Sequence, residues 1–277
     1  MPNPIKSCII TGVVVIATIS FIVAVQKNHK ALVEGQEAII SLEGLYVAPL
    51  KSSKDPVPQF ASFTNITEKK RAFFAYLLPE IRRQNSIVEK ERKMVFSLLQ
   101  VYSDNKQLDP HESEVLDMLK KKYKLNVIKD IPVEEILGQL IIKVDTIPEQ
   151  LILVQAANES GWGTSRFAVK GYNFFGLWCF ERGCGFVPAQ RDDDAVHEVA
   201  RFRDLSHCVM TYIRNLNRLY AYQGLRQIRL HLRKNNKPIT AIALSKGLMS
   251  YSERGQDYID ELHNMLRVNK KMMEAAL

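Results

Sequence analysis

The residue whose type and setting most invite chemistry is Glu159, the carboxylate that ends the apolar run in PEQLILVQAANESGWG at residues 148–163. Pro148 suits the first position of a helix, and Gly161 or Gly163 suits the left-handed residue just past its end. Leu151, Ile152, Leu153, Val154, Ala156 and Ala157 make that helix apolar on most faces, as a buried central helix must be. Glu159 then stands at the negative pole of the helix dipole, beside the apolar bulk of Trp162. Desolvation and the dipole both disfavour its charged form, so both push its pKa upward. A carboxyl group protonated near neutral pH can give its proton to the oxygen of a departing sugar. The plain alternative is a solvated Glu at a helix end.

A second cluster follows in GYNFFGLW at residues 171–178, which gathers aromatics around one amide. Flat aromatic faces stack on sugar rings, and the Asn173 side chain offers both donor and acceptor to an N-acetyl group or hydroxyl. Core packing for Phe174 and Phe175, and a turn role for Asn173, account for the same residues without a ligand.

Helices must position these groups. From Thr67 the pattern turns helical through Phe73, Phe74, Leu77 and Leu78, then continues as a charged amphipathic run, with Pro79 kinking or dividing the helix. Asp109 and Pro110 start a helix running to about Lys124, and Pro132 starts another ending near Val144. Residues 165–173 form a short helix after the central one. Residues 174–202 are poor in helical periodicity and rich in Gly and Asp, which suits a small hairpin lobe. Ser206 caps a helix through Val209, Tyr212, Ile213 and Leu216, and further helices fit residues 224–234, 240–247 and 256–268. The fold class is mainly α, with one small β-containing lobe beside the central helix.

The 277 residues, 46% of them hydrophobic, suffice for one sizeable core, or for one domain with an anchor and a linker, and exclude disorder throughout. A balance of 38 basic against 30 acidic residues gives a net charge of +8 and a pI near 9.2, which favours polyanionic surroundings such as nucleic acid, anionic lipid or an acidic cell-wall polymer. Residues 8–25, CIITGVVVIATISFIVAV, carry no charge and can just span a bilayer. No small-x-small cleavage site follows them, so residues 1–25 are expected to be an uncleaved transmembrane anchor rather than a signal peptide. Residues 26–64, with Lys, Ser and Pro between Pro49 and Pro58, read as a linker.

The order QAANESGWGTS around Glu159, then Ala168, then Asn173-Phe174-Phe175-Gly176, resembles the peptidoglycan β-N-acetylglucosaminidases of glycoside hydrolase family 73 and, within them, bacterial Bax-type proteins. The resemblance covers about residues 67–268. It implies a lysozyme-like helical catalytic domain over residues 65–270, and a hydrolase that cuts the β-1,4 bond after N-acetylglucosamine with Glu159 as general acid. It also implies peptidoglycan glycan strands as substrate, no metal or other cofactor, no nucleic acid, and an inner-membrane single-pass protein whose catalytic domain faces the periplasm. If the N-terminal segment is cleaved, the protein is periplasmic. Tyr222 and Tyr251 fall where such proteins place tyrosines. Tyr222 is then a second catalytic residue orienting the acetamido group, and Tyr251 joins Trp162, Asn173 and Phe175 in binding substrate. A half-buried Tyr at a helix end is the other reading of both tyrosines.

One departure from the family pattern matters. Many members carry a second Glu in the β-lobe shortly before the position of Phe202, where this chain reads PAQRDDD from Pro188. Either Asp192, Asp193, Asp194 or Glu198 stands in, or the substrate's own 2-acetamido oxygen is the nucleophile. Cys179 and Cys184 form a local disulfide in an oxidising compartment, or join His197 and His207 around zinc, while Cys208 reads as a small core residue. Two other functions share these features. A lytic transglycosylase also uses one Glu but cuts after N-acetylmuramic acid, and a binding module holds glycan without cutting it.

Overall fold

The computed structural model describes residues 56–125, 131–188 and 197–276. The expected anchor at residues 1–25, most of the expected linker and the Asp run at 192–194 lie outside the described residues. Among the described residues no helix is long and apolar enough to cross a membrane. The helices are α1 (Ile66–Asn105), α2 (Pro110–Lys122), α3 (Val133–Lys143), α4 (Glu149–Ser160), α5 (Arg166–Gly171), α6 (Leu205–Arg218), α7 (Gln223–Lys234), α8 (Ala241–Ser245), α9 (Gln256–Val268) and α10 (Lys270–Ala276). Three short strands, β1 (Trp178–Cys179), β2 (Gly185–Phe186) and β3 (Glu198–Ala200), lie between α5 and α6. The described chain is thus mainly helical with one small sheet, the composition the lysozyme-like expectation called for.

The residues fall into two compact units, one built on Lys90–Val144 and one on Val47–Glu89 with Asp145–Leu277. In the first, Asp109 and Glu112 close a capping box at the start of α2, with Asp109 Oδ1 accepting the Glu112 N–H at 2.7 Å and Glu112 Oε2 accepting the Asp109 N–H at 2.8 Å. Buried Glu91 accepts from the Tyr123 hydroxyl at 2.6 Å and pairs with Lys122. Arg92 donates to the carbonyls of Ile141 and Val144, where α3 ends.

The second unit is organised on α4, which packs against α8 and α9. Its entry is held by a buried polar knot. Asp145 pairs with Arg229 and takes a two-pronged contact from Arg233, at 3.1 and 2.8 Å. Arg229 and Asn217 both donate to the Asp145 carbonyl, at 3.0 and 2.9 Å, which ties α6 and α7 to the start of α4. Arg226 bonds the carbonyls of Leu216 and Leu219 at the end of α6, and burial pulls its pKa down to about 10. The small sheet is antiparallel in the order β1-β3-β2, with Val199 opposite both Trp178 and Phe186.

Three sequence expectations are corrected. Pro79 neither divides nor ends α1, because Phe73, Phe74, Leu77, Leu78 and Ile81 are all buried along the same stretch and their packing outweighs one missing backbone hydrogen bond. The cap of α6 is Asp204, whose Oδ1 accepts the His207 N–H at 2.8 Å, whereas the Ser206 hydroxyl accepts from Arg83 at 2.5 Å. The last residues of the expected linker also belong to the fold. Phe60 is 1% exposed and meets the Phe73 ring edge-on at 5.4 Å. It lies so close to Gly163, at φ 78°, that a Cβ there would come within 2.4 Å of the Phe60 ring. Phe60→Ala should therefore cost about 3–5 kcal/mol in chemical denaturation; a midpoint equal to wild type would return this segment to the status of a linker.

Candidate active site

Glu159 is the next-to-last residue of α4. Gly161 ends the helix in the left-handed conformation at φ 56°, and the Trp162 N–H returns to the Ala157 carbonyl at 2.9 Å. The carboxyl is half-buried, and burial is the main force raising its pKa. Hydrogen bonds from Tyr258 and Asn158 pull the other way, followed by a small upward push from Glu261 and a downward one from Arg254. Arg254 and Glu261 are themselves ion-paired.

The partner of Glu159 is set by a directed chain of hydrogen bonds. Gln155, one turn earlier on α4, is wholly buried. Its carbonyl oxygen accepts from the Tyr212 hydroxyl on α6, and its Nε2 donates to the Tyr258 hydroxyl on α9 at 2.9 Å. The Tyr258 hydroxyl, accepting from Gln155, in turn donates to the Glu159 carboxylate. Burial raises the pKa of Tyr212, Tyr251 and Tyr258, so each is a phenol and a donor across the working pH range.

Opposite the helix end runs the segment from Asn173 to Trp178. Gly176, at φ 62°, passes so close that a Cβ there would lie 3.5 Å from Glu159 Oε2. Glycine lets bare backbone line the carboxyl at this point. Tyr251 donates to the Phe175 carbonyl at 2.8 Å and stacks on Tyr258 with ring centres 5.6 Å apart, which couples this wall to α9. Tyr222 is half-buried in the short turn Tyr220–Tyr222, with its ring 5.9 Å from that of Tyr251. Burial raises its pKa, and the negative charge of Glu159 adds to the rise.

The candidates named from sequence divide. Glu159, Tyr222 and Tyr251 are brought together. Asn173 is 1% exposed and fully occupied, donating to the carbonyls of Leu177 and Ala200 and accepting from the N–H groups of Phe175 and Leu177. Its side chain closes the loop from Asn173 to Leu177. Phe175 is likewise 1% exposed and stacks on Tyr212 at 3.9 Å, so it is core. The Trp162 ring packs against Phe73 and Phe74 at 5.5 Å, with Lys70 Nζ 4.7 Å from its centre.

Cys179 and Cys184 are disulfide-bonded, so their sulfurs are not the thiolates a zinc ion would need. Glu198, whose carboxylate comes near the two sulfurs, accepts the N–H groups of Gly183 and Gly185 at 2.9 and 2.7 Å and clamps the hairpin turn. Cys208 is buried, as expected of a core residue. A surface cleft of about 390 Å³ lies at the other end of α4, lined in part by Thr146, Glu149, Arg233 and Lys237, far from Glu159.

Sequence reasoning missed Gln155 and Tyr258, and placed Tyr212 only on the periodic pattern of a helix. Gln155 had a local signal, since it precedes Glu159 by four residues and so shares its helix face. Tyr258 had none, being one more large residue on the inner face of α9.

A family profile described as mannosyl-glycoprotein endo-beta-N-acetylglucosaminidase matches residues 138–271. Protein bax of Escherichia coli (strain K12) is 31% identical over 222 residues, which are 79% of this chain and 76% of that protein. No solved structure matches. The profile spans the helices that build the acid's surroundings, and the relative aligns over most of both chains; the protein belongs to the glucosaminidase family.

Proposed function

We propose that this peptidoglycan-related glycosidase hydrolyses the β-1,4 bond after N-acetylglucosamine in glycan strands, with Glu159 as general acid. The observation that carries the reading is one carboxyl group, desolvated enough to hold a proton above the ordinary carboxylate range and fixed in place by the Tyr258 hydroxyl. Glu159 gives its proton to the glycosidic oxygen as the bond to the anomeric carbon breaks. The substrate's acetamido oxygen attacks that carbon, and water later opens the cyclic intermediate and returns a proton to Glu159. Glu198 is taken up by two backbone N–H groups, which supports this substrate-assisted course over one with Glu198 as nucleophile. Tyr222, beside Tyr251 on the rim, is the hydroxyl that orients the acetamido group. In the same reading the apolar N-terminal run anchors the chain in the inner membrane with the domain in the periplasm, and the net charge of +8 suits a substrate bearing lactyl and peptide carboxylates.

Glu159→Gln should lower kcat on purified sacculi by about 10²–10⁴, and mass spectrometry of the wild-type digest should find N-acetylglucosamine at the new reducing ends. An anhydro-muramic acid end would make the protein a transglycosylase instead. The rate should fall as pH rises through the pKa of Glu159, because only the protonated form donates. Tyr258→Phe removes a hydrogen bond that favours the charged form, so the alkaline limb of the kcat/KM profile should move to higher pH. A limb that moves down or stays put argues against Tyr258 as the controlling partner.

The same group shapes stability. With its folded pKa above the unfolded value, Glu159 contributes stability that is fully present below the unfolded pKa and is lost as pH rises through the folded one. Glu159→Gln cannot ionise, so its melting temperature should gain on wild type between acid and mildly alkaline pH. A constant gap across that range would mean that Glu159 titrates like a free carboxyl.

A further inference from the structure

We infer that Trp178 is a stacking platform for a sugar ring of the glycan strand next to the scissile bond, an assignment that rests on Glu159 as the acid. Trp178 follows Gly176 by two residues, so its Cα lies at most about 7 Å further along the wall that touches the Glu159 carboxyl. Its indole is 52% exposed on β1, with Phe180 and Val187 of the same lobe also largely in solvent. Large apolar side chains left open together mark a binding surface. The His197 ring backs the indole, with centres 4.3 Å apart and planes tilted by 50°.

The platform is also rigid. Leu177, immediately before it, is fixed on both backbone groups: its N–H goes to Asn173 Oδ1 at 3.0 Å and its carbonyl accepts from Asn173 at 2.9 Å and from the Ala200 N–H at 2.8 Å. Cys179, immediately after it, is joined to Cys184, and Glu198 holds Gly183 and Gly185 on the same hairpin. Such fastening makes sense for an aromatic face that must meet a ligand without losing entropy when it does so. The occupant is the glycan, because Trp178 follows by two residues the glycine that lies against the Glu159 carboxyl, and its exposed indole offers a flat apolar face to a sugar ring.

The test uses Glu159→Gln, which should bind without cutting, and peptide-free oligosaccharides of alternating N-acetylglucosamine and N-acetylmuramic acid. The chain has two tryptophans, and Trp162 is packed among Phe73, Phe74 and Lys70, so an emission change on binding reports Trp178. Saturable quenching or a blue shift is expected, absent in the Trp178→Phe variant although that variant still binds within about threefold by calorimetry. Trp178→Ala should weaken binding roughly tenfold, with a melting temperature showing it folded, and in the active enzyme should raise KM more than it lowers kcat. Unchanged affinity of Trp178→Ala, or titration of the parent with no emission change, overturns the platform and leaves the acid assignment intact. Retained cleavage by Glu159→Gln does the reverse.

Discussion

The side-chain amide of Gln155 is the constraint on which the site depends. It stands wholly buried in a helix whose other buried residues are Leu, Ile, Val, Ala and Ser160. An amide buried without partners costs roughly 1–3 kcal/mol for each unmade bond. Its partners come from two distant helices, Tyr212 on α6 and Tyr258 on α9, so satisfying it fixes the rotation of both helices against α4. Gln155 also has a direction. Its oxygen can only accept and its nitrogen can only donate, so the Tyr258 proton has one place to go, and that place is Glu159.

The acid is therefore balanced between opposing forces. Burial disfavours the charged form of Glu159 and raises its pKa. The hydrogen bonds from Tyr258 and Asn158 favour the charged form and act the other way. Burial stands first among the causes and the Tyr258 and Asn158 bonds next, so the net direction is upward.

Local chemistry made much of this legible in the sequence. Pro148 and Gly161 bracket α4, Asp109 and Glu112 start α2, and the expected span of residues 256–268 is the observed α9, because caps and periodicity act within a few residues. What was hidden depends on distance along the chain. Gln155 and Tyr258 are 103 residues apart, and no periodicity joins them. The Trp162 ring was assigned to the acid for its nearness in sequence. In the fold, Gly161 and Trp162 both take positive φ, and the ring packs with Phe73 and Phe74 of α1. Asn173 was misread because an amide among aromatics looks like a ligand contact. Its four hydrogen bonds to backbone groups are a tertiary fact.

The β-lobe poses a separate physical problem, since strands of two and three residues cannot hold a sheet together on their own. Each stabilising device found there answers that deficit. The Cys179–Cys184 bond ties β1 to the turn, Glu198 gathers the turn's N–H groups, Asn173 closes the entry, and Tyr251 pins the Phe175 carbonyl. These four act in series along the stretch that passes the Glu159 carboxyl at Gly176. Loss of any one would be felt first as a looser wall at the acid. A chain that needed only a cover for its core could have packed this lobe with apolar side chains. Fastening its backbone while leaving Trp178 and Phe180 in water is instead the arrangement of a surface built to receive something.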